Sequence, residues 1–224
     1  QLNLTDKASK FLPELLTTDK KNITIKELLI HKSGLVSYYP TLWRNTMSSQ
    51  GELNPEYYKT SLSKEFNLQV APKLYAHHTL PDSVWKWIIE SPLRTKSARA
   101  SEYSFVYSDL GFMMLQKVIE RITNQSLDTF VNQQLYEPLH IPLLAYRPLT
   151  MVNSERIAPT ENDSKYRGQL IQGTVHDPMA AMVGGIAGHA GLFGNARSLS
   201  TLLQMNLWKG NYAGKQYLKP STLE

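Results

Sequence analysis

The clearest periodic pattern of apolar and polar positions lies between Phe105 and Arg121. Leu110, Met113, Met114, Val118 and Ile122 recur at spacings of three and four, which predicts a helix with one apolar face. Ser108 is placed to cap its start, Asp109 falls in the first turn, where the helix dipole favours negative charge, and Asn124 is able to close the far end. Upstream, Leu4, Ala8, Phe11 and Leu12 predict a short amphipathic helix stopped by Pro13. Thr24 and Glu27 have the spacing of a capping box, followed by Ile25, Leu28, Leu29 and Ile30 and ended near Gly34. Pro81 opens another helix with Val84, Trp85, Ile88 and Ile89 on its buried side. Ser126 opens one carrying Leu127, Phe130, Val131 and Leu135, and Asn195 opens a last one carrying Leu199, Leu202, Leu203, Met205 and Leu207, closed by Gly210. The count is about six helices with little convincing strand, which predicts a mainly α chain.

Residues 37–80 follow no clean period, but they concentrate Tyr38, Tyr39, Trp43, Tyr57, Tyr58, Tyr75 and the His77-His78 pair. A long aromatic connection of this kind is expected to line a cleft, with packing as the alternative role for Tyr38, Tyr39 and Trp43. The glycine-rich run from Gly184 to Gly194 lacks the Gly-Lys-Ser/Thr of a phosphate loop, and reads as close backbone packing.

Composition narrows the classes. With 224 residues, 42% apolar and 19% charged, the chain is globular and fits one domain or a large piece of one. No apolar run reaches the 18 residues or so of a membrane span. The net charge is +5, but the basic residues are scattered, so no nucleic-acid partner is expected. The absence of cysteine removes disulfides, thiolate metal sites and a cysteine nucleophile. The chain starts at Gln1 without an initiator Met, and its natural start is expected to lie upstream.

The candidate chemistry is sparse. His77 and His78 are adjacent, so their side chains diverge, and no third ligand sits at metal spacing; no metal and no cofactor are expected. His176 and His189 read as hydrogen-bonding core or loop residues. Ser-x-x-Lys occurs at Ser61/Lys64 and Ser83/Lys86, but 19 serines and 16 lysines in 224 residues predict one or two chance matches. Tyr107 stands just ahead of the central helix. The dipole there supplies at most about 1 kcal/mol to a phenolate. A tyrosine titrating near ~10 costs about 1.4 kcal/mol for each unit it is moved, so acting as a base at neutral pH requires nearby cations too.

Several strings stand in one order: Leu2-Asn3-Leu4-Thr5-Asp6, Phe11-Leu12-Pro13-Glu14-Leu15, Ile23 to Leu29 followed by His31-Lys32-Ser33-Gly34-Leu35, and Tyr107-Ser108-Asp109-Leu110-Gly111-Phe112. Together they resemble the serine β-lactamase-related family of class C β-lactamases, D-alanyl-D-alanine carboxypeptidases and related esterases. Val175-His176-Asp177-Pro178 with Gly188 to Phe193 resembles a subgroup often joined to a family-three glycoside hydrolase. The resemblance implies that residues 1–224 are the helical domain of the β-lactamase/DD-peptidase-like fold, with most of the α/β sheet domain missing. The nucleophile serine with its lysine would precede Leu2, and the strand bearing Lys/His-Thr/Ser-Gly would follow. It further implies a serine acyl-transfer hydrolase with Tyr107 and Asp109 in the second catalytic motif, Asp109 replacing the more usual Asn. Tyr107 would shuttle the proton. Asp109 would orient the serine's lysine or bind substrate, and Tyr38, Tyr39 and Trp43 would line the cleft. The substrate would be a small molecule, peptide or ester, and the location periplasmic or at the cell envelope. The alternative is a relative that has lost chemistry and acts as a binding or regulatory module.

Overall fold

The computed structural model describes residues 2–37, 40–98 and 101–223. The chain opens with two 3-10 turns, Ala8–Lys10 and Pro13–Thr17, rather than one amphipathic helix. Pro13 starts the second turn, and Ala8, Leu12 and Leu15 are fully buried while Leu4 stays exposed. Helix α1, Ile25–Leu29, is held by the expected capping box: Thr24 accepts from the Glu27 N–H, and Glu27 accepts from the Thr24 N–H. In a helix of five residues that pair satisfies donors the backbone cannot.

Helix α2 runs Pro40–Thr46 and leads into strands β1 (Tyr58–Lys59), β2 (Phe66–Ala71) and β3 (Leu74–His77). These form an antiparallel sheet in the order β1-β3-β2, with irregular register along β2 and β3. Lys73, at φ 54°, turns β2 into β3. Helix α3 is Leu80–Glu90, helix α4 Asp109–Thr123, and helix α5 Leu127–Val131, continued by a π-helical turn at Asn132–Tyr136. Beyond it, β4 (Ala145–Tyr146) pairs with the distant β7 (Leu192–Phe193), and β5 (Glu161–Asp163) with β6 (Gln169–Ile171). Helix α6 is Pro178–Met182 and helix α7 Ala196–Leu207, followed by the hairpin of β8 (Asn211–Tyr212) and β9 (Lys215–Gln216).

The expectation of a mainly α helical domain with most of its sheet missing is corrected by these strands. The molecule is 38% helical and 14% strand, a mixed α and β architecture. The strands escape a periodicity reading because most span two or three residues. In β2, the alternation of Phe66, Leu68 and Val70 with Asn67 and Gln69 is the one visible strand signal, and it lies inside the stretch read as irregular.

Helix α4 is the centre of the main core. Leu110, Met114 and Val118 are fully buried in one cluster with residues of α1, α3 and the three-stranded sheet. Each such side chain contributes about 1.5–3 kcal/mol relative to exposure. Ile122, on the expected apolar face, lies beyond the core edge and is exposed. Asn124 closes the helix in the left-handed conformation at φ 53°. A second, smaller core gathers Tyr136, Leu139, Ile141, Leu144 and Met205.

Candidate active site

The start of α4 is tied to the loop that follows α1. His31 leaves that helix at φ 55°, and its Nδ1 accepts the Ser108 N–H at 3.1 Å. The Val106 N–H donates to the His31 carbonyl at 3.0 Å. Ser108 occupies the cap position, but its hydroxyl donates to the Val36 carbonyl at 2.7 Å and makes no cap bond to the helix. The segment entering α4 is thereby fixed in place by residues 31–36.

Tyr107 stands on this segment, 59% exposed. Its ring lies against His31, with centroids 4.6 Å apart, and Phe105 and Phe112 flank the same imidazole. Two residues on, Asp109 turns into a pocket of about 140 Å³ walled by Leu42, Trp43, Met179 and Met182 and bordered by Ser37, Asp177 and Pro178. Trp43 lines this pocket and also packs, its ring edge-on to Tyr166 at 5.6 Å. Of the sequence-derived candidates, Asp109 and Trp43 are brought into one pocket, Tyr107 lies outside its wall on the neighbouring surface, and Tyr38 and Tyr39 lie outside the described residues.

The opposite wall contains residues that sequence reasoning did not place there. Asp177 caps α6, accepting the Ala180 N–H at 2.7 Å, and its Oδ1 also meets His189 Nε2 at 2.9 Å. Burial pushes the Asp177 carboxyl up, but the His189 hydrogen bond and the backbone N–H donors outweigh it and hold the group below the usual carboxylate range. The His189 side chain is only 3% exposed, and its Nδ1 has no hydrogen-bond partner among the described residues. Asp109, Asp177 and His189 present ligand atoms within 4.8 Å of one another, the one group among the described residues with the geometry to hold a metal ion. The Asp-Pro start of α6 was the available sequence signal for Asp177. Nothing local signalled that α4 would carry Asp109 to it.

His189 reaches this position because the glycine run packs directly on α4. A Cβ on Gly188 would collide with the Phe112 carbonyl. Its N–H donates to Gln116 Oε1 at 3.0 Å, and Gln116 Nε2 donates back to the Ile186 carbonyl at 3.1 Å. The two residues ahead of Asp177 are held by Arg167. That buried guanidinium binds Asp163 Oδ2 at 2.7 Å and the Val175 and His176 carbonyls at 2.6 Å each.

The remaining sequence candidates lie elsewhere. His176 is exposed and faces Glu161 at 3.2 Å. The His77 and His78 side chains do not diverge as expected: their rings stack at 4.5 Å, with their Nδ1 atoms bonded to Thr79 Oγ1 and the Glu65 carbonyl. Ser83 donates to the Thr79 carbonyl, Lys86 pairs with Glu90 on the surface of α3, and Ser61 and Lys64 are exposed.

Comparison with known proteins matches this architecture. A protein of Bacillus subtilis named N-acetylmuramyl-L-alanine amidase is 29% identical over 95% of this chain and 45% of its own length. A protein of Escherichia coli K12, named provisionally as a D-alanyl-D-alanine carboxypeptidase, is 33% identical over 53% of this chain and 30% of its own. The chain spans less than half the length of these curated relatives. The solved octameric penicillin-binding protein homologue of Pyrococcus abyssi superposes with a TM-score of 0.61 at 17% identity, over 99% of this chain and 42% of that one, so strands and helices alike belong to the shared fold. The model of the β-lactamase family matches residues 1–223, and the chain therefore belongs to the β-lactamase family.

Proposed function

We propose that residues 1–224 supply the second catalytic motif and one wall of the substrate cleft of a serine acyl-transfer hydrolase. The observation that carries this reading is the convergence of Asp109 and Trp43 on one pocket at the start of α4, with Tyr107 exposed two residues ahead of Asp109. In this reading a serine outside these residues attacks an amide or ester carbonyl. Tyr107, as the phenolate, takes the serine's proton and, as the phenol so formed, returns it to the leaving group. Its exposed position leaves it accessible to the lysines such a step requires, since the helix dipole alone supplies too little. Asp109, a carboxylate in place of the usual amide, orients the serine's lysine or the substrate. The nucleophile, its lysine and the third motif are assigned to segments outside residues 1–224, because Ser61 and Ser83 lie away from the pocket. The names of the two relatives support a cell-wall amide as substrate and an envelope location. Among the described residues no helix is long and apolar enough to cross a membrane. The resemblance of the Val175–Pro178 and Gly188–Phe193 strings supports a glycoside hydrolase fused to the same protein.

Tyr107→Phe in the full-length protein is expected to lower turnover of an activated ester by 10²-fold or more. Near-normal turnover removes Tyr107 from the mechanism. A serine-reactive phosphonate separates this reading from that of an inactive binding module: a covalent adduct supports the hydrolase, and no adduct across several probes supports the module.

A further inference from the structure

We propose that His31 is the positioning residue for Tyr107: its ring, without a hydrogen on Nδ1, holds the tyrosine's segment at the start of α4, and a proton taken up there releases it. The inference deepens the hydrolase reading and rests on it only for the claim that Tyr107 moves a proton. His31 meets the segment at three points. Its carbonyl accepts the Val106 N–H at 3.0 Å, its Nδ1 accepts the Ser108 N–H at 3.1 Å, and its ring lies 4.6 Å from the Tyr107 ring, tilted by 36°. The residues on either side of Tyr107 are thus bonded to one residue, and the phenol ring rests on that residue's side chain. Phe105 and Phe112 close on the same imidazole at 5.7 and 5.2 Å, which leaves it little room to turn away.

The bond from Ser108 decides which role the ring plays. A backbone N–H needs a lone pair, so Nδ1 carries no hydrogen while that bond stands. His31 is therefore not one of the cations that a Tyr107 phenolate requires, although it packs on that phenol. It supplies position, and the charge is left to the lysines. A proton on Nδ1 sets two N–H groups against each other, and the Ser108 N–H loses its acceptor. The rings that face the imidazole are those of Phe105, Tyr107 and Phe112, of which only Tyr107 titrates. Lys32, the next residue, pairs with Glu102 at 3.3 Å, and Asp109 lines the pocket walled by Trp43. The histidines paired with carboxylates among the described residues are His176 and His189. The hold on Tyr107 therefore weakens as the solution is acidified.

The test reads amide exchange and turnover in the full-length protein. Exchange of the Ser108 amide, followed by NMR with ¹⁵N-serine labelling and corrected for its intrinsic pH dependence, is expected to quicken about tenfold from pH 8 to pH 5, the interval in which histidines ordinarily change charge. His31→Asn keeps an acceptor, suits the left-handed backbone at φ 55° and takes up no proton. It should keep Ser108 protected at both pH values. His31→Phe keeps a ring without an acceptor. It should expose Ser108 at both pH values and lower kcat for an activated ester about tenfold, with KM within about twofold and the circular dichroism spectrum unchanged. His31→Asn should restore most of that kcat. A parent protein whose corrected exchange ignores pH overturns the proposal, and so does a His31→Asn protein that loses protection on acidification as the parent does. A folded His31→Phe protein with the parent's exchange or the parent's kcat overturns it too. If His31→Phe fails to fold, parent and His31→Asn compared across pH decide alone. Because exchange is read without turnover, the expected exchange in a protein inert toward every ester sinks the hydrolase reading alone. Ester hydrolysis that His31→Phe leaves intact sinks the positioning role alone.

Discussion

His189 shows how one side chain's surroundings fix the direction of its hydrogen bond. The Nε2 atom faces a carboxylate at 2.9 Å and Nδ1 has no hydrogen-bond partner among the described residues, so a hydrogen on Nε2 satisfies the one partner available. That hydrogen bond in turn helps keep Asp177 ionised against the cost of its burial. Two consequences are expected. In ¹⁵N spectra the His189 Nε2 should carry a hydrogen directed at Asp177, and an Nε2 without hydrogen would contradict the assignment. His189→Ala removes both the donor and a buried ring, and should cost about 2–4 kcal/mol in urea unfolding. His189→Gln, which retains an N–H donor, should recover part of that loss. His176, which shares its residue type and its loop-like sequence context, is exposed and should cost much less when truncated.

At the scale of elements, the decisive contact is the glycine run against α4. Gly188 is not at a positive φ; its constraint is space, since the Phe112 carbonyl occupies the volume a Cβ would take. Gly188→Ala must push the run off the helix. It is expected to cost about 1–3 kcal/mol by overpacking and to weaken the His189–Asp177 hydrogen bond with it. A variant as stable as the parent in a thermal melt would show that the run yields without strain. The sequence made this packing legible, because a glycine run without phosphate-loop residues has few other uses. It likewise made legible α4 itself, its Asn124 terminus and the Thr24–Glu27 capping box, since each is written in residues three or four apart. What stayed illegible depends on distant partners. Strand β4 finds β7 across 45 residues or so of chain, and two-residue strands carry no alternation to read. The Ser108 hydroxyl was expected to cap α4, but the Val36 carbonyl, delivered by another segment, takes it instead. Asp109 and Trp43 were each visible as candidates, whereas their meeting with Asp177 and His189 is a property of the fold.

Over the whole molecule, titrating groups shifted by their surroundings set both edges of the pH range in which the fold persists. Asp163 is pushed up by burial, but the Tyr166 N–H and the Arg167 guanidinium outweigh this and hold it below 3.8; Asp177 and Asp19 are likewise lowered. A carboxyl depressed in the folded state stabilises above its unfolded pKa and loses that contribution as pH falls through the folded one. The acid limb should therefore begin just below pH 4. On the alkaline side the sign is reversed. Burial pushes the Tyr58 phenol up to about 12, and Tyr166, hydrogen-bonded to it at 3.0 Å, lies well above 10. A phenol raised in the folded state contributes fully below its unfolded pKa, and the contribution is lost as pH rises through the folded one. Stability should thus decline from about pH 10 to 12, by on the order of 2–3 kcal/mol from Tyr58 alone. Urea unfolding across pH 3–12 checks both limbs in one series. Tyr58→Phe should flatten the alkaline limb and leave the acid limb unchanged, while Asp163→Asn should lower stability at neutral pH and shrink the fall below pH 4. If the double mutant Tyr58→Phe/Tyr166→Phe declines above pH 10 as steeply as the parent protein, the alkaline edge belongs to the other burial-raised phenols, Tyr146 and Tyr136, and not to this pair.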